Sequence, residues 1–433
     1  MERSRDLIIR EPARETPIVA QVDVLVAGGG PAGIAAATAA ARTGADTMLV
    51  ERYGYLGGLA TGGLVLLMDQ LFDRNGERCV GGVHWESLER LRSMGGLAEQ
   101  RPTRLHVDSE LYKIVADEMC VQAGVRLRLH SWVVDALLEG DRVTGVVVES
   151  KSGRQAILCR VCVDATGDAD IAAFAGAGYD LARMCIGLNL KVGGVDGGVV
   201  RAFRQEYPDR VRALRRQVRA LGGCPLDVGA TPYSDRGVYW VNTLGLNGRE
   251  GKMLPLDHAA DGFAGALDAV DVEDMTFVEV EMRKRMAIAL DFYRKNMPGF
   301  EDVHLLSIAA QLGVRDSRRV RGMHTLTKAE MDAGVCFEDS VGITGQMFAN
   351  GQHLQVPYRA LVPESVNGLV VSGRCISVDD GVIHSIRLIP ACMMIGQAAG
   401  TAAALARRAG VQPRDVDVDA LRRQLVLDGV ILS

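Results

Sequence analysis

Apolar residues fall along this chain in short continuous runs and in longer stretches with helical spacing. Residues 22–27 (VDVLVA) form the first short run, the pattern of a buried strand. An Ala-rich segment with helical spacing follows at 32–43 and stops at Gly44. A second apolar run, 47–50, ends in Glu51. Segment 66–105 reads as irregular and polar, with a helical patch near 85–94. Residues 107–123 have helical spacing, with Asp108 or Ser109 as N-cap and Gly124 as the stop. Runs 125–130, 133–138 and 143–149 read as strands, the last two joined by the turn EGDR. Run 156–163 is another, leading into DATGDAD at 164–170.

The pattern then changes. Residues 203–221 are Arg-rich and amphipathic, and 274–296 predict a long helix capped by Asp274 or Thr276. Segments 300–327 and 331–357 read as mixed strand and loop. From Leu361 the opening composition returns. An apolar strand at 369–372 is followed by Gly373 and Arg374, then by an Ala/Gly-rich helix from Pro390 to about residue 408. A tail with one more helix closes the chain. The expected organisation is one α/β domain built from 1–180 and 361–433, with 181–360 inserted as a cap.

The opening stretch carries chemistry. Gly28-x-Gly30-x-x-Gly33 stands between strand and helix, and an acid ends the next strand roughly 20 residues on. Gly28 permits the tight turn, Gly30 lets backbone approach a pyrophosphate, and Gly33 lets the helix pack on the strand. The helix N-terminus, with Pro31 and Ala32, offers unpaired N–H groups to phosphate. Glu51 can accept ribose hydroxyls and disfavours a 2′-phosphate. A dinucleotide is expected here, and NADP is not. No second such fingerprint occurs, so no built-in pyridine-nucleotide site is expected.

Composition narrows the alternatives. The 433 residues, 48% hydrophobic, suffice for two or three domains with substantial cores. With 49 basic and 54 acidic residues, net −5, bulk charge gives no reason to expect nucleic acid. The charged N-terminus lacks the apolar centre of a signal peptide or anchor. Residues 389–406, with Gln397 and many small residues, read as a buried helix, so no membrane span is expected. Nine cysteines without a secretion signal point to a reducing cytoplasm. Cys159 and Cys162 form CxxC inside a strand pattern, where packing is the better reading than redox or zinc chemistry. No HExxH, paired CxxC or GxSxG motif occurs, so neither a metal site nor a serine elbow is expected.

GGGPAGIAAATAAARTG, ERYGYLGG, VCVDATGDADIA, GVRDSRRVRG and SGRCIS…SIRLIPACMMIGQAAGTAAALA resemble, in order, the FAD-dependent oxidoreductase family, whose fold is shared with glutathione-reductase-type and fumarate-reductase-type flavoproteins. The resemblance implies an FAD-binding Rossmann-like α/β domain with an inserted α+β cap, and FAD as the dinucleotide. It implies that Gly28, Gly30 and Gly33 hold the pyrophosphate, Glu51 takes the adenosine ribose and Arg52 lines the adenine side. Gly57, Gly58 and Thr61 bring backbone against the pyrophosphate and flavin edge, and Val133 meets adenine by backbone groups. Ala165, Thr166 and Gly167 pass the adenosine half, with Asp168 fixing that turn. Gly373 and Arg374 lie near the ribityl chain. Many relatives carry an acid at the latter position, and Arg374 cannot accept a hydrogen bond. The helix beginning at Ile389 and Pro390 aims its N-terminus at flavin N1 and C2=O. FAD is expected to be noncovalent, the first histidine after the fingerprint being His84.

The expected reacting groups are Arg387, His384 and Arg315. Arg387 can stabilise negative charge or clamp a carboxylate, or else form a structural salt bridge. His384 can act as a base beside the flavin or sit behind it as a satisfied partner. Arg315 is the choice among Arg315, Arg318 and Arg319, and His353 is a weaker candidate. The leading function is a dehydrogenase or oxidase in which a small organic substrate, held between flavin and cap, gives a hydride to FAD. Oxygen or an electron-transfer partner is the expected acceptor. The alternatives are a flavin-dependent monooxygenase and a non-catalytic flavin-binding subunit. A homo-oligomer stays open.

Overall fold

The computed structural model describes residues 8–9, 11–73, 75–101, 104–250, 265–345 and 353–433. Parts of the polar lead-in at 1–20 and of the segment 331–357 thus lie outside the described residues.

Strand β1 (Ile18–Ala27) runs into helix α1 (Pro31–Arg42), which returns the chain to β2 (Thr47–Val50). β1 and β2 pair in parallel, Val24 opposite Thr47 through Ala27 opposite Val50. A short sheet follows, β3 (Leu67–Met68), β4 (Leu97–Arg101) and β5 (Arg104–Val107), with α2 (Gly82–Ser93) between its first two strands. The described residues of segment 66–105 therefore include a small sheet and a helix, and its strands are too short to show a period. Helix α3 (Ser109–Gln122) is capped by Asp108, whose carboxylate accepts from Glu110 N and Leu111 N, both at 2.9 Å.

Strands β6 (Arg126–Arg128), β7 (Trp132–Glu139), β8 (Arg142–Ser150) and β9 (Gly153–Asp164) complete most of the main sheet, in the order β6-β2-β1-β9-β8-β7. β6, β2, β1 and β9 are parallel, whereas β8 and β7 form an antiparallel meander. Helix α4 (Asp170–Phe174) follows β9. Cys159 and Cys162 are buried in β9, as their apolar run implied.

The middle of the chain holds β10 (Tyr179–Leu181), β11 (Leu190–Gly193), α5 (Gly197–Glu206), α6 (Pro208–Ala220), β12 (Val228–Gly229), β13 (Tyr239–Val241), α7 (Val272–Asn296), β14 (His304–Ile308) and β15 (Arg318–Val320). β12-β13-β11-β14 form an antiparallel sheet, and β10 pairs with β15. The amphipathic stretch expected at 203–221 is two helices. They part at Tyr207, because Pro208 disfavours helical backbone in the residue before it. Helix α7 begins before Asp274 and is capped by Asp271, which accepts from Glu273 N at 2.8 Å and Asp274 N at 3.2 Å. Asn189 ties this block down, its Nδ2 donating to Gly63 O at 3.3 Å and Leu64 O at 3.0 Å.

After α8 (Lys328–Ala333) and the β16 (Ser340–Gly345)–β17 (His353–Pro357) hairpin, β18 (Leu369–Val371) joins the main sheet. It pairs in parallel with the upper half of β9, at 162–164, beyond where β8 has left it. Helices α9 (Ile383–Ile386), α10 (Ile389–Ala409) and α11 (Val418–Leu427) end the chain. α10 is long and apolar enough to cross a membrane, and its apolar stretch is wholly buried in the fold.

α10 lies across α1, and small residues make that approach possible. A Cβ at Gly396 would run into the backbone of Ala32, and one at Gly400 into that of Ala36. Gly400→Ala is therefore expected to lower stability by about 1–3 kcal/mol through overpacking, against the gain of about 1 kcal/mol that Ala brings to a helix interior. Urea denaturation of the FAD-saturated protein checks this. A raised midpoint would show that the two helices can part without cost.

Candidate active site and FAD cavity

At the C-terminal ends of β1, β2, β9 and β18 the chain encloses a cavity of about 320 Å³. Open α/β sheets place ligands at these strand ends. Gly28 turns with φ of 101°, which favours glycine, and its N–H donates to Val50 O at 2.8 Å. A Cβ there would strike Ala165 O, so the turn lies directly on the β9–α4 loop. Gly33 packs against the carbonyl of Gly28 with no room for a Cβ. Gly30 differs, because a Cβ built on it meets nothing within 4 Å. It is the N-cap of α1, contributes no side-chain cap and precedes Pro31. Free N–H groups of α1 thus face open space, the condition for binding a phosphate.

Glu51 closes this end. Its carboxylate accepts from Gly29 N at 2.6 Å and Tyr53 N at 2.8 Å. Burial raises its carboxyl above the usual range, and those two amides oppose the rise. Arg52, beside Glu51, lies over the Tyr53 ring at 4.9 Å, and both line the cavity with Ser131, Trp132 and Val133.

The far wall is the loop after β9. Asp164, fully buried, accepts from Thr166 Oγ1 at 2.7 Å, Thr166 N at 3.1 Å and Ala172 N at 3.0 Å. Burial pushes its carboxyl up to about 6 despite these donors. This knot holds Ala165, Thr166 and Gly167 along the cavity. Asp168 receives Arg374 Nη2 and Ser317 Oγ, both at 2.6 Å on Oδ1. Burial alone would raise that carboxyl, but Arg374 and Ser317 hold it below the usual range. Arg318 Nη1 donates to Asp168 O at 3.0 Å and Asp170 Oδ1 at 2.9 Å.

The remaining wall is the start of α10. Its N-cap, Leu388, adds no side-chain cap, and Ile389, Cys392 and Arg387 line the cavity there. Burial first, then the neighbouring Arg315 cation, lowers the Arg387 guanidinium to about 10, so it remains charged at neutral pH. Burial pushes the Cys392 thiol up to about 12, which keeps it protonated. From α7, Met275, Thr276 and Glu279 reach the same cavity, as do Gln311, Leu312 and Val314.

The expected residues divide as follows. Gly28, Gly30, Pro31, Ala32, Glu51, Arg52, Gly58, Val133, Ala165, Thr166, Gly167, Asp168, Gly373, Arg374, Arg387 and Ile389 line the cavity. Gly33, Gly57 and Thr61 do not. They lie behind it, Gly57 N donating to Gly29 O at 2.8 Å and Thr61 Oγ1 to Leu56 O at 2.8 Å. Two of the three expected reacting groups stand outside the cavity lining. His384 is buried in α9 outside the cavity lining, because that single turn packs into the core. Arg315 also stands outside the lining, drawn off by Cys185, whose carbonyl it meets at 2.9 Å and whose sulfur at 3.2 Å. His353 starts β17, away from the cavity lining.

Sequence reasoning missed Asp164, Ser317, Gln311, Cys392 and the α7 residues. Asp164 left a signal, an acid closing an apolar strand run. Ser317 and Cys392 stand inside the quoted motifs, but nothing in the motifs singles them out, whereas Gln311 and the α7 residues come from segments with no motif at all. Among the described residues no group of His, Cys, Asp and Glu could hold a metal ion.

A glycine turn, an uncapped helix start, a buried acid and a second helix start around one cavity define a dinucleotide-binding α/β flavoprotein. A model of the family "FAD dependent oxidoreductase" matches residues 23–425, and the chain belongs to that family. Its cofactor is FAD, and it is an enzyme. The open space before Gly30 and the acceptor Glu51 fit that cofactor. One similar protein is the tRNA uridine 5-carboxymethylaminomethyl modification enzyme MnmG of Dichelobacter nodosus (strain VCS1703A), 37% identical over 143 residues. The alignment covers 30% of this chain and only 22% of that protein. Among solved structures, a geranylgeranyl bacteriochlorophyll reductase-like protein of Thermoplasma acidophilum is 13% identical with a TM-score of 0.46, covering 94% of this chain and 82% of its own. The OxyS anhydrotetracycline hydroxylase of Streptomyces rimosus is 12% identical with a TM-score of 0.47, covering 94% and 66%. Likeness at that level does not bear on reaction or substrate.

Proposed function

We propose that this enzyme oxidises a small organic molecule bound between the FAD cavity and the 181–360 block. FAD, when bound, supplies the hydride acceptor. The chain supplies a fixed positive charge, a dry wall and an oriented helix end. The observation that carries the reading is Arg387, a charged side chain lining the cavity directly before the first turn of α10. In so enclosed a place a guanidinium stabilises negative charge more strongly than in water. Met275, Leu312 and Val314 line the cavity with apolar surface and exclude water from it. The two uncapped helix starts, of α1 and α10, add positive dipole ends to the same cavity.

Oxygen or an electron-transfer partner completes the cycle in this proposal, since only one dinucleotide fingerprint is present. A cytoplasmic setting belongs to the same proposal, supported by nine cysteines, all of them free.

An anaerobic panel of small organic donors, read by bleaching of the flavin band, tests the proposal. Bleaching by a donor of this class is the expected result. Reduction by a nicotinamide nucleotide alone, followed by oxygen insertion into a second substrate, would make the enzyme a monooxygenase. Flavin that only a chemical reductant bleaches would make the chain a non-catalytic subunit.

A further inference from the structure

The position after Gly373 carries Arg374, and the cavity there holds a different arrangement from a lone cation. Arg374 turns toward the protein. Its Nη2 donates to Asp168 Oδ1 at 2.6 Å and its Nη1 to Ser317 Oγ at 2.8 Å. Ser317 in turn donates to the same Asp168 Oδ1 at 2.6 Å. The three side chains close a ring that joins β18, the loop after β9 and the loop before β15. Arg374 and Asp168 are largely buried, with side-chain exposures of 12% and 17%. Gly167 is part of the device, because a Cβ there would stand only 3.3 Å from Nη2. Arg318 holds the other side of the loop through the Asp168 carbonyl and Asp170.

The ring saturates one carboxylate oxygen and leaves the second. Among the described residues no donor is hydrogen-bonded to Asp168 Oδ2, although Asp168 lines the cavity. A carboxylate oxygen on the cavity wall with no protein donor is free to accept from a ligand there. FAD offers few donors along its length. The phosphates are anionic and would be repelled, and the adenosine ribose would fall to Glu51 on the far side, just after β2. Asp168 instead stands beside the end of β18, in the wall that continues through Arg374 to the start of α10. The adenine amino group belongs to the Glu51 end and the flavin N3–H to the α10 end, which leaves the hydroxyls of the ribityl chain between them.

We propose that Asp168, held by Arg374 and Ser317, accepts a hydrogen bond from a ribityl hydroxyl of FAD. Arg374 is then a positioning residue, neutralising and aiming the acid that takes the hydroxyl. The acceptor then stands on the loop after β9, and its balancing charge at the end of β18.

The test is equilibrium binding to the apoprotein, followed by flavin fluorescence. The ligands are FAD and its 2′-, 3′- and 4′-deoxyribityl analogues. Asp168→Asn is expected to weaken FAD by roughly 10- to 100-fold, the range for losing a hydrogen bond to a charged group. Wild type is expected to lose a similar factor on the one analogue that lacks the accepted hydroxyl. On that analogue Asp168→Asn should add no further loss. Equal losses on FAD and all three analogues would overturn the proposal and leave Asp168 a turn residue. Unchanged FAD affinity in the variant would overturn it as well. Should Asp168→Asn fail to fold by circular dichroism, the wild-type chain supplies its own measurement. It should lose affinity on one of the three analogues alone, and losses shared equally by all three would overturn the proposal. Because the readout is binding, the result stands apart from whether the proposed substrate oxidation is correct.

Discussion

Gly30→Val is expected to give a folded protein that no longer binds FAD at concentrations that saturate the wild type. Gly30 has φ of −70° and ψ of −177°, extended backbone that valine adopts without strain. A Cβ built there meets no protein atom within 4 Å, so the chain itself tolerates the added methyls. The cost to the helix is at most that of an unsuitable N-cap, about 1 kcal/mol. The space that valine takes is the space in front of the free N–H groups of α1, where the pyrophosphate must lie. The neighbouring glycine is expected to behave differently. A Cβ on Gly33 would overlap the carbonyl oxygen of Gly28, so Gly33→Val should unfold the αβ unit and bind nothing. Circular dichroism of the two apoproteins, with FAD titration of each, separates the cases. A Gly30→Val protein that binds FAD as the wild type does would place the dinucleotide elsewhere. A Gly33→Val protein that folds normally would show that α1 stands further from β1.

The contrast between those two glycines also marks how far the sequence could be read. The order strand, glycines, helix, strand, acid is local, and each member constrains the next within about 30 residues. The α1 cap, the Gly28 turn and the Glu51 position were therefore legible, as was the burial of the α10 segment. The split of 203–221 was legible in principle, since Pro208 stands in the middle of it. What the sequence hid was contact across distance. Arg374 and Asp168 are 206 residues apart, and only the fold shows that the cation at one strand end answers an acid on the next loop. His384 and Arg387 stand three residues apart, and both were expected to reach the flavin. A single turn of helix buries the first in the core and leaves the second in the cavity. Of Arg315, Arg318 and Arg319 in GVRDSRRVRG, Arg315 was the one expected at the cavity. Each is claimed by different partners: Cys185, Asp170 and Asp380 respectively.

Arg387→Ala is expected to retain FAD and to slow anaerobic flavin reduction by roughly 10²–10³-fold, the cost of removing one charge-stabilising group from an enclosed site. The reason is position. Arg387 alone among the three candidate reacting groups lines the cavity, directly before the helix start formed by Ile389 and Pro390. Its guanidinium is lowered to about 10, by burial and then by Arg315. That value gives a second, independent signature. The cation is present below about pH 10 and lost as pH rises through it. Wild-type reduction should therefore fall along an alkaline limb near pH 10, and Arg387→Ala should lack the limb. Arg315→Ala removes the repelling neighbour, so its limb should move to higher pH while the rate at pH 7 changes far less than in Arg387→Ala. Stopped-flow reduction across pH, with a donor found in the anaerobic panel, measures all three proteins. If Arg387→Ala reduces at the wild-type rate and keeps the alkaline limb, the charge that matters lies elsewhere and Arg387 only shapes the wall.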